Sequence, residues 1–370
     1  MTSHATAEGT QRYAERFAGR AAEGHFRQPD AAGGLVLSSI GIGTYLGRHD
    51  DETDQRYTNA IVAAVTAGVN VLDTAINYRF QRSERSIGAA LGKLAAMGYV
   101  RDELVLCTKA GYLTPDGAMP ANPSEYFLRE YIESGVITPD DVVGGMHCMT
   151  PPYLENQIGR SLRNLGVECI DVFYLHNPET QLTSVLRATF AKRIRTAFGF
   201  LESQVAAGRI RFYGMATWNG FRKPPHAAEY LSLAEMAGLA REVAGEGHHF
   251  RFVQLPYSLA MPEALTASNQ KVDGEDLPMV EAARRLGIAL VASASLLQGQ
   301  LTRGLPGFVA AALGQESDLH RALQFVRSSP GITTALVDMS HAEHVAENLK
   351  LVGVPPTPQE QFLKLFEGSS

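Results

Sequence analysis

Four polar side chains stand at or just past the ends of short apolar runs: Asp73 and Tyr78 in DTAINY, Lys109 in CTK and His176 in YLH. A carboxylate, a phenol, an ammonium and an imidazole are the groups of acid–base chemistry. Ending an apolar strand on a charge is costly unless partners or water meet it there, as they do at the mouth of a barrel. Each residue also has an ordinary reading: Asp73 could cap the next turn, Lys109 could snorkel, and His176 could be a satisfied core histidine. Independent accidents at three neighbouring strand ends are harder to accept than one shared site. Other groupings are weaker. His147 and Cys148 lack a second thiol or a partner base. His248 and His249 are adjacent and would point to opposite faces of a strand. His341 and His344 lack a third ligand, so no metal site is expected. Asp50–Asp51 and Asp140–Asp141 read as solvated loop pairs.

The elements that must position these residues repeat. Apolar runs bounded by turn signals fall near 35–46, 69–75, 104–112, 169–176, 210–217, 250–258, 288–295 and 332–339. They are nearly continuously apolar, as parallel strands buried on both faces are. Between them lie helical stretches, several ending in glycine directly before the next strand, at Gly68, Gly166, Gly208 and Gly287. A glycine there takes the left-handed conformation that ends a helix. Thr150 before Pro151 and Pro152 reads as a helix start, and Ser340 with Glu343 as a capping box. This alternation predicts an α/β fold, a single-domain (β/α)8 TIM barrel, over two Rossmann-like halves. GIGTYLG at 41–47 spaces its glycines as GxGxxxG, not GxGxxG. The expected organisation is an N-terminal extension over 1–34, a barrel over 35–352 and a C-terminal tail over 353–370. Segments 113–149 and 218–229 follow strands and are candidate substrate walls at the catalytic face.

Composition narrows the function. The chain has 370 residues, with 33 Lys+Arg against 39 Asp+Glu and a net charge of −6, so nucleic acid is not an expected partner. Three widely spaced cysteines, Cys107, Cys148 and Cys169, suit a reducing compartment. No signal-like or membrane-spanning apolar stretch stands out, which makes a cytoplasmic location the expectation.

Several motifs in order resemble the aldo/keto reductase family: SIGIGTYLG at 39–47, GVNVLDTAINY at 68–78, SERSIGAALG at 83–92 and CTK at 107–109. SLRNLGVECIDVFYLHNPE at 161–179, FVQLPYSL at 252–259 and the helix with Glu347 and Asn348 continue the series. The resemblance spans roughly 35–352. It implies an NAD(P)(H)-dependent oxidoreductase that interconverts an aldehyde or ketone with an alcohol, with Asp73, Tyr78, Lys109 and His176 as its tetrad. A phenol of pKa near 10 needs a nearby cation to serve as a proton donor, and Lys109, held by Asp73, could be that cation. His176 would hydrogen-bond the carbonyl oxygen, and the cofactor would supply hydride.

The resemblance also implies cofactor contacts, and here the chain departs from the pattern. Gly43, Thr44 and Tyr45 match residues that line cofactor and substrate. The family's Ser-Asn pair aligns with Ala216 and Thr217, its Gln survives as Gln254, and its stacking aromatic falls on Ser293. Tyr257 and Trp218 are candidate replacements for that ring. Gln298 and Gly299 fall where the pyrophosphate is held, Leu296 near the ribose, and Ser340 at the last helix could meet a phosphate. Positions that grip the 2′-phosphate align with Asp338 and His344. A carboxylate there repels phosphate, so the expected cofactor is NADP(H) or NAD(H), with Asp338 leaning toward NAD(H). A small carbonyl or alcohol is the expected partner. The alternatives are a non-redox lyase or isomerase using Tyr78 and Lys109, or a cofactor-binding regulatory subunit.

Overall fold

In the computed structural model, which describes residues 3–366, eight parallel strands close into a barrel. They are β1 (Ile40–Gly43), β2 (Val71–Asp73), β3 (Val105–Ala110), β4 (Ile170–His176), β5 (Ile210–Ala216), β6 (Phe250–Pro256), β7 (Ala289–Ser293) and β8 (Ile332–Asp338). Each of the eight anticipated runs supplies one strand. The barrel shuts where β8 pairs with β1, setting Asp338 opposite Gly43 at the rim.

The principal helices alternate with these strands: α1 (Asp51–Thr66), α2 (Arg82–Ala96), α3 (Pro151–Leu165), α4 (Arg187–Ala206), α5 (Leu233–Ala244), α6 (Met279–Arg285), α7 (Asp318–Ser328) and α8 (Ala342–Asn348). Their ends follow local chemistry. Asp50 caps α1 by accepting the Thr53 N–H at 2.8 Å, and Asp51, Glu52 and Asp54 favour the positive end of the helix dipole. Gly166 ends α3 in the left-handed region, with φ 67°. The capping box expected at Ser340 and Glu343 is absent. His341 is the N-cap of α8 and makes no side-chain cap, because the helix starts one residue later than the pattern implies.

Two apolar layers hold the barrel. The outer one lies between strands and helices and includes Tyr57, Ile61, Phe198 and Leu323. The inner one fills the barrel with Val71, Val105, Val172, Phe212 and Phe252. Residues ahead of β1 seal the bottom: Ala5, Ala32, Leu35 and Leu37 join the inner layer, and Phe26–Arg27 pairs antiparallel with Leu37–Ser38. The helix Ala7–Glu15 is tied on by Tyr13, whose hydroxyl donates to the Val65 carbonyl at 2.6 Å. Beyond α8, Phe362 packs on Phe325 of α7 with ring centroids 5.4 Å apart. Residues 1–2 of the extension and 367–370 of the tail lie outside the described residues. Among the described residues, no helix is long and apolar enough to cross a membrane.

With the bottom sealed, the open end is the strand C-terminal rim. Segment 113–149 folds back there through the short helix Pro123–Phe127 and the wide turn Leu128–Glu133. Bridges between Tyr112 and His147 and between Val143 and His147 close it.

Candidate active site

Parallel register brings the polar strand ends together. Asp73 pairs with Cys107, which puts Lys109 on the same inward face one layer higher, since side chains alternate with period two. Lys109 Nζ reaches Asp73 Oδ2 at 2.6 Å and also donates to the Thr74 carbonyl at 2.7 Å. The other carboxylate oxygen accepts from Gln254 Nε2 at 2.8 Å. Both charges are buried, so the pair persists only because each partner satisfies the other. Burial raises the Asp73 pKa against the pull of Lys109. For Lys109, burial works downward but the Asp73 charge outweighs it, and the ammonium is held above its usual value.

Tyr78 lies over this pair, with Lys109 Nζ 4.9 Å from its ring centroid. Burial raises the phenol, while Lys109 draws it back down. The turn that presents Tyr78 is strained: Arg79, Phe80 and Gln81, none a glycine, have φ of 49°, 56° and 72°. Such conformations cost on the order of 1 kcal/mol each and persist where surroundings over-determine them. Arg79 does so here. It is buried, pairs with Asp54 and donates to the Arg48 carbonyl at 2.8 Å.

His176 completes the group. Its ring meets Tyr78 edge-on at 5.8 Å and Tyr112 at 5.3 Å, and its Nδ1 lies 3.2 Å from Asn77 Oδ1. Burial, then repulsion from Lys109, keeps its pKa well below the usual imidazole value, so it is neutral at physiological pH. The histidine is also held from behind. His147 Nε2 donates to the His176 carbonyl at 2.8 Å, which leaves His147 Nδ1 to accept from Gln181 Nε2 at 2.8 Å. Gly111 makes room for this bond. A Cβ there would fall 2.4 Å from the His176 oxygen and 2.8 Å from His147 Nε2.

These groups border a cavity of about 940 Å³. Gly43, Thr44 and Tyr45 line it after β1, with Asp73, Tyr78 and His176 beside them. Thr217 lines it just after β5, Gln254 within β6 and Ser293 at the end of β7. Leu296, Gln298 and Gly299 follow in the next turn, and Asp338, His344, Glu347 and Asn348 form the far side. Lys109 stands behind Asp73, outside the wall. Ser340 is not part of the wall, because α8 begins beyond it and presents His344 instead.

The role anticipated for Tyr257 does not survive. Tyr257 cannot stand in for a stacking ring: it is fully buried, bonds Ser329 at 2.7 Å and stacks on Phe325 in the outer layer. Trp218 does line the cavity, about half exposed. Asp338 borders the cavity but is not free. One oxygen accepts the Leu46 N–H at 2.8 Å and the other the Tyr57 hydroxyl, so the carboxylate anchors the β1–α1 loop. Burial pushes its pKa up to about 6.

Asn77, Tyr112 and Ser295 also line the cavity, though nothing beyond their proximity to Tyr78, Lys109 and Ser293 marked them in the sequence. Glu179, in the helical turn Pro178–Thr183 after β4, positions the wall from outside. Its buried Oε1 accepts the backbone N–H groups of Trp218, Asn219 and Gly220 at 2.8, 2.9 and 3.3 Å.

The wall fits an elongated polar ligand such as a nicotinamide dinucleotide. Thr217 Oγ1 and Ser295 Oγ, on residues lining the cavity, are buried with no protein partner, so each is available to a bound polar group. The turn after β7 sets Ala294, Leu297 and Gln298 at φ of 54°, 46° and 54°, a second strained stretch beside the cavity.

A sealed parallel barrel with a buried Lys–Asp pair, a tyrosine and a neutral histidine at its open rim defines an enzyme-type barrel. The family model described as "Aldo/keto reductase family" matches residues 39–305, and the chain belongs to that family. The aldo-keto reductase str7 of Strobilurus tenacellus is 25% identical over 353 residues, 91% of this chain and 82% of that protein. The D-threo-aldose 1-dehydrogenase of a Pseudomonas species is 29% identical over 193 residues, 50% of this chain and 52% of that protein. The chain thus spans about half the length of that relative. In structure it resembles the holo form of aldo-keto reductase AKR11C1 from Bacillus halodurans, with a TM-score of 0.63 at 19% identity, covering 92% and 95% of the two chains.

Proposed function

We propose that this protein is an NAD(P)H-dependent oxidoreductase that interconverts a small aldehyde or ketone with its alcohol. The observation that carries this reading is the buried Lys109–Asp73 pair, 2.6 Å apart, beneath Tyr78 and next to His176 at the wall of a large cavity. Thr217, Gln254 and Ser295 would hold the nicotinamide end, and His344 and Asn348 the far end. When bound, the cofactor supplies or accepts hydride.

The chain's own residues manage the proton and the developing charge. Tyr78 donates its phenolic proton to the carbonyl oxygen, and Lys109 stabilises the phenolate left behind. Asp73 keeps the ammonium in place and protonated. His176, uncharged, offers a hydrogen bond to the same oxygen without placing a second positive charge beside Lys109. Asn77 decides which nitrogen of His176 carries the proton. Its amide oxygen toward Nδ1 puts the proton on Nδ1, whereas a half-turn of the amide, donating to Nδ1 instead, leaves the proton on Nε2, and this second arrangement is the one in which His176 donates to the carbonyl oxygen. The three free, buried cysteines suit a reducing compartment such as the cytoplasm. In this reading residues 3–34 act as the bottom seal and 35–352 as the catalytic barrel, and the described residues beyond 352 dock on α7 through Phe362.

Fluorescence titration with NADPH and with NADH, followed by assay of Tyr78→Phe, tests the reading. Saturable binding of either cofactor is expected, with carbonyl reduction by Tyr78→Phe down by at least ~100-fold and cofactor affinity kept. Unchanged turnover in Tyr78→Phe would remove it as proton donor. Failure of both cofactors to bind folded protein would reject the oxidoreductase reading.

A further inference from the structure

A second recess, of about 380 Å³, adjoins the first and is lined chiefly by Phe80, Leu113, Pro115, Met119, Phe127 and Met146. Asn77 and Tyr112 line both spaces, as a ridge between them. Both also meet His176, Asn77 at 3.2 Å and the Tyr112 ring at 5.3 Å. The recess therefore begins beside the proposed reacting centre. It is a built feature of this chain: segment 113–149 returns over the strained 79–81 turn, and the Gly117 N–H donates to the Phe80 carbonyl at 2.8 Å.

Its chemistry selects an occupant. No Asp, Glu, Lys or Arg lines it. Its hydroxyl groups are already engaged: Thr114 donates to the Pro115 carbonyl at 3.2 Å, and Tyr112 accepts from Asn177 at 3.0 Å. A sugar or polyol entering would leave hydroxyls unpaired, whereas a flat apolar group would gain burial. Met119 and Met146 stand at the rim 58% and 53% exposed, flexible apolar side chains able to close over such a group. A space of ~150 Å³ accepts a benzene ring, so this one has room for one or two rings.

We propose that the recess takes the apolar, ring-sized end of the substrate whose carbonyl lies at Tyr78 and His176. The substrate class is then aldehydes or ketones with an aryl or similarly bulky apolar group a few bonds from the carbonyl, not free sugars. This rests on the oxidoreductase reading.

The test compares kcat/KM for 3-phenylpropanal, 2-naphthylacetaldehyde, propanal and glyceraldehyde with NADPH and NADH. It uses wild type, Met119→Asp and Met146→Asp, whose exposed positions leave the fold intact. Equilibrium dialysis of 2-naphthylethanol gives a readout independent of turnover. The aryl aldehydes are expected to exceed propanal by roughly 10- to 100-fold. Each Asp variant should remove most of that advantage while sparing propanal, and naphthylethanol binding should weaken in parallel. Propanal or glyceraldehyde turned over as well as the aryl aldehydes, or an aryl preference that neither variant alters, would overturn the recess assignment while the oxidoreductase reading stands. No turnover of any carbonyl with either cofactor would overturn that reading, and the substrate class with it. Naphthylethanol binding to wild type but not Met146→Asp would mark that failure as one of chemistry, not of the recess.

Discussion

His147 Nε2 donates to the main-chain oxygen of His176 at 2.8 Å, so a side chain outside the cavity fixes the backbone of one that lines it. His147→Leu removes this tether and leaves the buried His176 carbonyl without its side-chain partner, at about 1–3 kcal/mol, while Gln181 Nε2 keeps its longer bond to the residue-147 carbonyl at 3.4 Å. We expect carbonyl reduction to lose kcat by ~10-fold or more through misplacement of His176, with little change in cofactor affinity. Gly111→Ala should act alike by steric exclusion, and the double variant should lose less than the product of the two. Stopped-flow and steady-state kinetics on all three would check this; purely additive losses would contradict it.

Asn77→Asp offers a sharper probe of His176. A carboxylate only accepts, so it locks the proton on Nδ1 and favours the imidazolium. Activity should fall by ~100-fold, and proton–nitrogen NMR should show His176 titrating at higher pH than in wild type. An unchanged titration would mean that Asn77 does not set the tautomer.

Lys109→Met strands the Asp73 carboxylate in the barrel. The expected cost is about 3–5 kcal/mol, because breaking a buried pair leaves an uncompensated charge. Adding Asp73→Asn should recover most of that stability in urea unfolding without restoring turnover. A double variant no more stable than Lys109→Met would argue that Asp73 is already protonated in the fold.

Asp338 gives the fold a pH signature. Its pKa is raised from 3.8 to about 6, so the folded state binds its proton more tightly than the unfolded chain does. The stability this contributes is fully present below about pH 4 and lost as pH rises through about 6. Relative to Asp338→Asn, wild type should therefore gain about 2.4 kcal/mol between pH 7.5 and pH 4, at about 1.36 kcal/mol per pKa unit. Chemical unfolding at both pH values measures it. The same variant should alter the NADPH-to-NADH preference only modestly, since the carboxylate is occupied by Tyr57 and Leu46.

The barrel was legible because glycines closing helices and doubly buried strands are local signals. Asp73, Lys109 and His176 were legible because a charge or imidazole at an apolar strand's end is conspicuous. The partners of those residues were not. Tyr57 and Asp338 are 281 residues apart, and nothing in either neighbourhood foretells their bond. The recess is formed by a loop returning on a turn, an encounter that no periodicity encodes. Tyr257 looked available because its position just past β6 was readable, whereas its direction, toward α7, was not.

Glu179 holds Trp218, Asn219 and Gly220 by their main-chain N–H groups alone. A grip on backbone is indifferent to side-chain identity, so the rim after β5 can be rewritten residue by residue while keeping its place. Mutational libraries at Trp218 and Asn219 should therefore stay folded when Glu179 is kept and scatter when it is lost. One buried carboxylate thus separates the loop's position from its sequence, and leaves that part of the mouth open to changes of specificity.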